Sequence, residues 1–135
     1  MILADTDVLI DYLAGVEPTK NAIVAYAHAD RLKTSVITVF ELLSGAGENR
    51  RGDAVRKLIS LLEVVPLDRD AAERAASVRR ELEGGGRAIG MGDSLIAGIA
   101  LANGLALFTR NRKHFERVPH LKLVDVFGGR SGQSA

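Results

Sequence analysis

The 135-residue sequence contains no cysteine and no tryptophan, and only three prolines. Without cysteine the chain has no disulfide bonds, no thiolate zinc site and no cysteine nucleophile. A reducing cytoplasm is therefore the compartment that the composition favours. Four phenylalanines and two tyrosines leave few side chains on which nucleic-acid bases could stack, so any RNA recognition should rely on phosphates and shape.

Long hydrophobic runs are also missing. The longest apolar stretch, residues 95–108, is too short to cross a membrane and is interrupted by Asn103 and by glycines. The start of the chain places Asp5 and Asp7 after only four apolar residues, which differs from a secretory signal peptide. We therefore expect no membrane segment and no secretion by that route.

Neither sign of charge dominates, because 18 basic and 17 acidic residues give a formal net charge of +1. Any attraction to nucleic acid must then come from local clusters of charge. Hydrophobic residues at 47% and charged residues at 26% are typical of a folded globular domain, and the length suits one domain. We predict a single domain over residues 1–127, followed by a flexible polar, glycine-rich tail at 128–135.

Apolar segments of strand length alternate with segments of helical periodicity. Strands are predicted at 1–4, 63–67 and 105–109, with weaker signals at 32–34 and 121–126. Helices are predicted at 7–14, 20–29, 36–44, 54–62, 71–83 and 93–103. The alternation predicts an α/β fold of three layers, α/β/α, with a mostly parallel central sheet of four to five strands. Ligands of such sheets bind at the C-terminal ends of the strands.

Three acidic side chains are expected near those strand ends. Asp5 follows the first strand, Glu41 is the only charge in a helix that we expect to be buried on most faces, and Asp93 opens an apolar helix. Taken singly, these acids have ordinary alternative roles as an N-cap, a solvent-facing charge and a partner of the helix dipole. Gathered at one edge of a sheet, carboxylates suit Mg²⁺ or Mn²⁺, which can activate water against a phosphodiester.

Polar and basic side chains follow the last of the stronger strand signals. Thr109 and Asn111 are placed to hold a water molecule or a phosphate oxygen. Asp7 is predicted in the first helical turn, beside the ligands and not among them. Four basic residues are candidate contacts for an RNA backbone, with simple solvation as the alternative: Arg87, Arg110, Arg112 and Lys113.

Four motifs lie in order along almost the whole chain. They are contained in ILADTDVLIDYL at 2–13, TSVITVFELLSG at 34–45 and GMGDSLIAGIALANGLALFTRN at 90–111. In this order they resemble the motifs of the PIN-domain ribonucleases, and specifically of the VapC-type toxins of bacterial toxin–antitoxin pairs. The resemblance implies a PIN-like α/β/α fold and an endoribonuclease that hydrolyses RNA phosphodiester bonds with Mg²⁺ or Mn²⁺.

The resemblance also implies roles for individual residues. Asp5, Glu41 and Asp93 would bind the metal, and Thr109 and Asn111 would complete the catalytic site. Many family members carry aspartate where this chain has Asn111, so a second metal is expected to bind weakly or only together with substrate phosphate. Implied partners are an RNA substrate, a second copy in a homodimer, and a VapB-type antitoxin whose C-terminal peptide blocks the cleft.

Two other functions remain open on the sequence. Asp5-Thr6-Asp7-Val8 also resembles the nucleophile motif of haloacid-dehalogenase-like phosphatases, in which Asp5 would form a phosphoaspartate; that family expects an acid where this chain has Ala97. A catalytically silent module that binds RNA or protein is the second alternative. Because clustered carboxylates repel one another, the metal-nuclease interpretation predicts a raised pKa for at least one of them without a cation.

Overall fold

The computed structural model describes residues 1–126, so the predicted tail at 128–135 lies outside the described residues. The strands are β1 (Ile2–Ala4), β2 (Leu32–Ser35), β3 (Glu63–Val65) and β4 (Ala106–Phe108). The helices are α1 (Thr6–Ala14), α2 (Thr19–His28), α3 (Val36–Ala46), α4 (Arg50–Ser60), α5 (Arg69–Gly84), α6 (Met91–Ala102) and α7 (Arg112–Phe115). Two helices therefore separate each pair of successive strands, in the order that the sequence predicts.

The four strands form one parallel sheet in the order β3-β2-β1-β4. Ile2 of β1 lies opposite Leu32 of β2 on one side and opposite Ala106 of β4 on the other. Since all strands run in the same direction, their C-terminal ends lie along one edge of the sheet. That edge presents Asp5 and Thr109, which directly follow β1 and β4.

Side chains of the sheet pack against helices on both faces, which gives the three predicted layers. On one face Leu3 and Leu107 pack with buried residues of α5 and α6. On the other face Ile2, Ala4 and Phe108 pack with α1, α2 and α4. The central strand β1 is completely buried, which explains why its sequence is apolar without alternation.

Helix α6 lies unusually close to α5. A side chain at Gly98 would place its Cβ 2.4 Å from the carbonyl oxygen of Ala71, so only glycine fits there. At the start of the same helix, a Cβ at Gly92 would lie 2.9 Å from Glu41 Oε2. These two glycines let α6 bring Asp93 close to the other acids.

Two expectations about individual elements are wrong. The strand signal at 121–126 yields only one parallel bridge, between Leu107 and Leu123, because β4 is short and the carbonyl of Val124 accepts from Arg112 at 2.6 Å. Helix α3 is not buried on most faces, since Phe40 is 69% exposed and Val36 and Leu43 are each 38% exposed. Among residues 1–126 no helix is long and apolar enough to cross a membrane.

Candidate active site

Asp5 stands at the end of β1 with only 5% of its surface exposed. One carboxylate oxygen accepts from the backbone N–H of Thr6 at 2.8 Å, so Asp5 is indeed the N-cap of α1. The other oxygen accepts from the Thr109 hydroxyl at 2.7 Å. Asp5 therefore caps helix α1 and also lies at the C-terminal edge of the sheet, where the sequence predicts it.

Asp7 lies beside Asp5 in the first turn of α1. Its Oδ2 accepts from the backbone N–H of Arg110 at 3.0 Å and lies 3.4 Å from the Thr109 hydroxyl. Its Oδ1 is buried and has no hydrogen-bond partner among residues 1–126. A buried carboxylate oxygen without a donor is costly, and a cation is one group that would satisfy it.

The pKa of Asp5 is raised from 3.8 to about 7. Burial is the largest cause, and the negative charge of Asp7 is the next, with a smaller contribution from Asp93. The hydrogen bonds from Thr109 and Thr6 act in the opposite direction. Burial also raises the pKa of Asp7, against the opposing effect of Arg110. The raised pKa of Asp5 agrees with the expectation that at least one of the clustered carboxylates has a raised pKa, although burial contributes more than repulsion.

Glu41 faces the other acids from α3. Its Oε1 accepts a hydrogen bond from the Thr6 hydroxyl, which also lies 3.1 Å from the hydroxyl of Thr38. Thr38 is fixed in turn by Ser35, whose Oγ accepts from the Thr38 N–H at 3.0 Å. Sequence reasoning missed Thr6 as a link; the only signal for it was a hydroxyl placed between two acids of one motif.

Thr109 connects the remaining site residues and is fully buried. Its hydroxyl donates to Asp5 and accepts from the backbone N–H of Asn111 at 3.0 Å. The Asn111 amide lies 3.3 Å from Asp93 Oδ2 and 2.9 Å from His114 Nδ1. The structure thus brings the predicted residues into one connected network, with Glu41 joined to it through Thr6.

Comparison with known proteins decides the family. The PIN-domain family matches residues 2–121 of this chain. The chain belongs to the PIN-domain family. The tRNA(fMet)-specific endonuclease VapC of Salmonella typhimurium is 36% identical over 102 residues, which cover 73% of this chain and 77% of that protein. Ribonuclease VapC10 of Mycobacterium tuberculosis is 35% identical over 122 residues, 90% of this chain and 91% of that one.

A solved structure of a VapBC complex contains a chain with the same fold. The DNA-bound VapBC of Salmonella typhimurium contains a chain that superposes on this PIN domain with a TM-score of 0.80 at 30% identity. The match covers 92% of this chain and 96% of that one. The PIN-like fold inferred from the sequence motifs is therefore confirmed.

The oxygen donors of this PIN domain fit a hard divalent cation. Asp5, Asp7, Glu41 and Asp93 supply carboxylates, which Mg²⁺ and Mn²⁺ prefer over other side chains. Among residues 1–126 Asp7 Oδ1 lacks a hydrogen-bond donor, and the pKa of Asp5 is raised first by burial and then by the charge of Asp7, so a cation would relieve both. Within residues 1–126, however, no three acidic or histidine side chains converge closely enough to form a finished metal cage.

The basic residues proposed as RNA contacts divide into two groups. Arg110 pairs with Asp11 at 3.1 Å, and Arg112 donates to the carbonyl of Val124 at 2.6 Å, so both have partners within the protein. Arg87 and Lys113 are exposed. The latter two are therefore better placed to meet a phosphate backbone.

Proposed function

We propose that this PIN-domain endoribonuclease hydrolyses RNA phosphodiester bonds with Mg²⁺ or Mn²⁺ held by Asp5, Glu41 and Asp93. The endoribonuclease class rests on the family match and on relatives named VapC ribonucleases that cover most of the chain. PIN-domain VapC ribonucleases are generally dependent on divalent metals. The observation that carries the assignment of residues is the Thr109 hydroxyl, which joins Asp5 to the Asn111–Asp93 pair.

When bound, the cation would polarise the phosphodiester and lower the pKa of the attacking water. The protein would hold the ligand side chains in position and supply their negative charge. Thr6 and Thr109 hold the nearly buried Asp5 carboxylate in one orientation. Asn111 donates to Asp93 and thereby orients the carboxylate that α6 contributes. The raised pKa of Asp5 means that cation binding near neutral pH competes with protonation of that carboxylate.

RNA is the proposed substrate, held chiefly through its phosphates. Exposed Arg87 and Lys113 supply positive charge outside the carboxylate cluster. The scarcity of aromatic side chains gives the protein few platforms for stacking bases. The proposal therefore favours recognition of an RNA by its shape and backbone.

A VapB-type antitoxin and a second copy of the chain are the proposed protein partners. Similar structures include VapBC complexes, in which the toxin-like chain is solved together with its antitoxin. In this chain α3 exposes an apolar stripe of Val36, Phe40 and Leu43 at helical spacing. Exposed apolar patches of this kind are typical of protein interfaces. The stripe suits self-association, since two copies can pack the same face together.

A separate groove suits the antitoxin. It is lined by the apolar residues Ile10, Leu13 and Ala54 and by Arg50 and Arg51. Its volume of about 440 Å³ is large enough for several side chains of a peptide. The arginines would favour a segment that carries acidic residues beside its apolar ones.

The phosphatase alternative fits the structure poorly. That family expects a second acid four residues after Asp93, where this chain has the fully buried Ala97, which offers no ligand for a cation. Trapping a covalent phosphoaspartate on Asp5 would nevertheless restore that alternative. A silent binding module would bind RNA equally well with and without metal.

Cleavage of a mixed cellular RNA pool tests the proposal. Purified protein is incubated with Mg²⁺ or Mn²⁺, with a chelator, and as the Asp93→Asn variant; Asp70→Asn, an exposed acid on α5, is the matched control. We expect discrete fragments with wild type and Asp70→Asn, and none with chelator or Asp93→Asn. Equal cleavage in all samples would contradict the metal mechanism, and no cleavage in any would contradict the nuclease assignment.

A further inference from the structure

Three polar atoms meet at one point on the rim of the site. Asn111 Nδ2 lies 3.3 Å from Asp93 Oδ2 and 2.9 Å from His114 Nδ1. Asp93 Oδ2 and His114 Nδ1 are themselves 3.6 Å apart. The amide group therefore sits between a carboxylate oxygen and an imidazole nitrogen, donating one hydrogen toward each of them.

These separations match those between neighbouring ligands of a single ion. Ligand atoms at about 2.1 Å from a metal lie roughly 3.0 Å apart in octahedral geometry and roughly 3.4 Å apart in tetrahedral geometry. The three observed distances of 2.9, 3.3 and 3.6 Å span that range. In the arrangement described, the amide hydrogens of Asn111 occupy the place that a cation would take.

The Asn111 side chain can convert this arrangement into a set of three electron-pair donors. A half-turn of the amide exchanges Nδ2 for Oδ1, so that an oxygen replaces the donor between Asp93 and His114. In the imidazole tautomer that carries its proton on Nε2, Nδ1 is free of hydrogen, and it lies 2.9 Å from the Asn111 amide nitrogen, so its lone pair can face the same place. Carboxylate oxygen, amide oxygen and imidazole nitrogen then face one point.

We propose that His114 is a metal ligand of this protein and binds a divalent cation through Nδ1 together with Asp93 and Asn111. The inference rests on the proposed function, because Asp93 is shared with the metal site described above. It gives a chemical role to the one histidine near the site. It also adds an imidazole nitrogen as a ligand beside Asn111, whose neutral amide binds a cation less strongly than an aspartate would.

The fold gives His114 a stable base. Its neighbour Phe115 is fully buried in the core, and Arg112 fixes the start of the short helix α7 by donating to the Val124 carbonyl. The His114 side chain is 47% exposed and the Asp93 side chain 27% exposed, so an ion can reach both. Replacing His114 removes little packing and should leave the protein folded.

A nitrogen ligand changes which metal is preferred. Mg²⁺ binds imidazole poorly and favours oxygen, whereas Mn²⁺ and especially Co²⁺ accept it. We therefore expect His114 to favour Mn²⁺ over Mg²⁺ at this position. A site built from carboxylates and amide oxygen alone would show a smaller preference.

Metal binding without RNA tests the inference. Mn²⁺ and Mg²⁺ affinities are measured by calorimetry, and Co²⁺ binding by its visible absorption, for wild type, His114→Ala and His28→Ala; His28 is an exposed histidine on α2 and serves as the control. For His114→Ala we expect Mn²⁺ to bind about tenfold more weakly and Mg²⁺ to change less than about threefold, with shifted Co²⁺ bands. His28→Ala should match wild type.

Asp93→Asn separates failure of this inference from failure of the proposed function. If Asp93→Asn loses metal while His114→Ala keeps wild-type Mn²⁺ affinity and Co²⁺ bands, the carboxylate site stands and the role of His114 is wrong. If wild type binds none of the three ions, both are wrong. Circular dichroism of each variant establishes that the protein remains folded.

Discussion

Replacing Asp5 with asparagine should stabilise the metal-free protein and abolish its response to metal. Asparagine is as good an N-cap as aspartate, so its Oδ1 can still accept from the Thr6 N–H. The Thr109 hydroxyl, which now donates to Asp5, can turn toward Asp7 Oδ2 at 3.4 Å. The main change is the loss of a buried negative charge.

The size of the effect follows from the pKa of Asp5, which burial raises from 3.8 to about 7. A difference of about three pKa units, at ~1.4 kcal/mol each, corresponds to at most about 4 kcal/mol of free energy of unfolding. Since asparagine gives up the stronger charge-assisted hydrogen bonds, we expect a net gain of about 1–3 kcal/mol at pH 8. A melting temperature higher by roughly 4–10 °C should accompany it.

The sign of the pH dependence gives a second check. Because the pKa is raised in the folded state, the folded protein holds a proton that the unfolded chain has released between about pH 4 and pH 7. The stabilising contribution is fully present below pH 4 and is lost as the pH rises through about 7. The advantage of Asp5→Asn over wild type should therefore be large at pH 8 and shrink toward pH 5.

Urea unfolding in the presence of chelator measures the stability difference between Asp5→Asn and wild type at pH 8 and at pH 5. Thermal melts with added Mn²⁺ measure how much each protein is stabilised by metal. Wild type should gain about 2.7 kcal/mol at a hundred times the dissociation constant, and Asp5→Asn should gain much less. Asp70→Asn, on the exposed side of α5, should stay within about 0.5 kcal/mol of wild type. An Asp5→Asn protein that is no more stable than wild type at pH 8 would refute the reasoning.

Two other sets of substitutions probe the hydrogen-bond network and the RNA surface. Thr109→Val removes the buried hydroxyl between Asp5 and Asn111, so it should cost about 1–3 kcal/mol in urea unfolding and lower cleavage at least tenfold, while Thr109→Ser keeps both near wild type. Equal activity of the two variants would argue against the link. The double variant Arg87→Gln, Lys113→Gln should bind RNA more weakly, and the slope of its log binding constant against log salt concentration should fall by up to about two. An unchanged slope would exclude these side chains as phosphate contacts.

The sheet, the helices and the order of the acids were predictable because local patterns determine them. Apolar runs such as 1–4 and 105–109 are long enough to mark buried strands, and an acid directly after a strand must lie at the C-terminal edge of a parallel sheet. The exposed stripe on α3 was not predictable. An apolar helix has the same sequence whether it packs inside its own chain or against a partner.

Links between distant residues were also beyond the sequence. Thr6 and Glu41 are 35 positions apart, and their contact depends on how α1 and α3 pack. The position of Asp93 depends on Gly92 and Gly98, whose lack of a side chain matters only once the facing atoms are known. The order of the motifs therefore pointed to the acids that we propose as metal ligands, whereas tertiary packing determined which hydroxyls hold them in place.

The asparagine at position 111 balances stability against metal binding. Asp5, Asp7, Glu41 and Asp93 already place four carboxylates in one network, and burial raises the pKa of two of them. An aspartate at 111 would lie 3.3 Å from Asp93 and would add repulsion where the amide now donates a hydrogen bond. We therefore expect the neutral amide to favour the metal-free fold and to attract a second cation less than an aspartate would. Under the inference above, the imidazole nitrogen of His114 would restore a metal ligand there without adding negative charge.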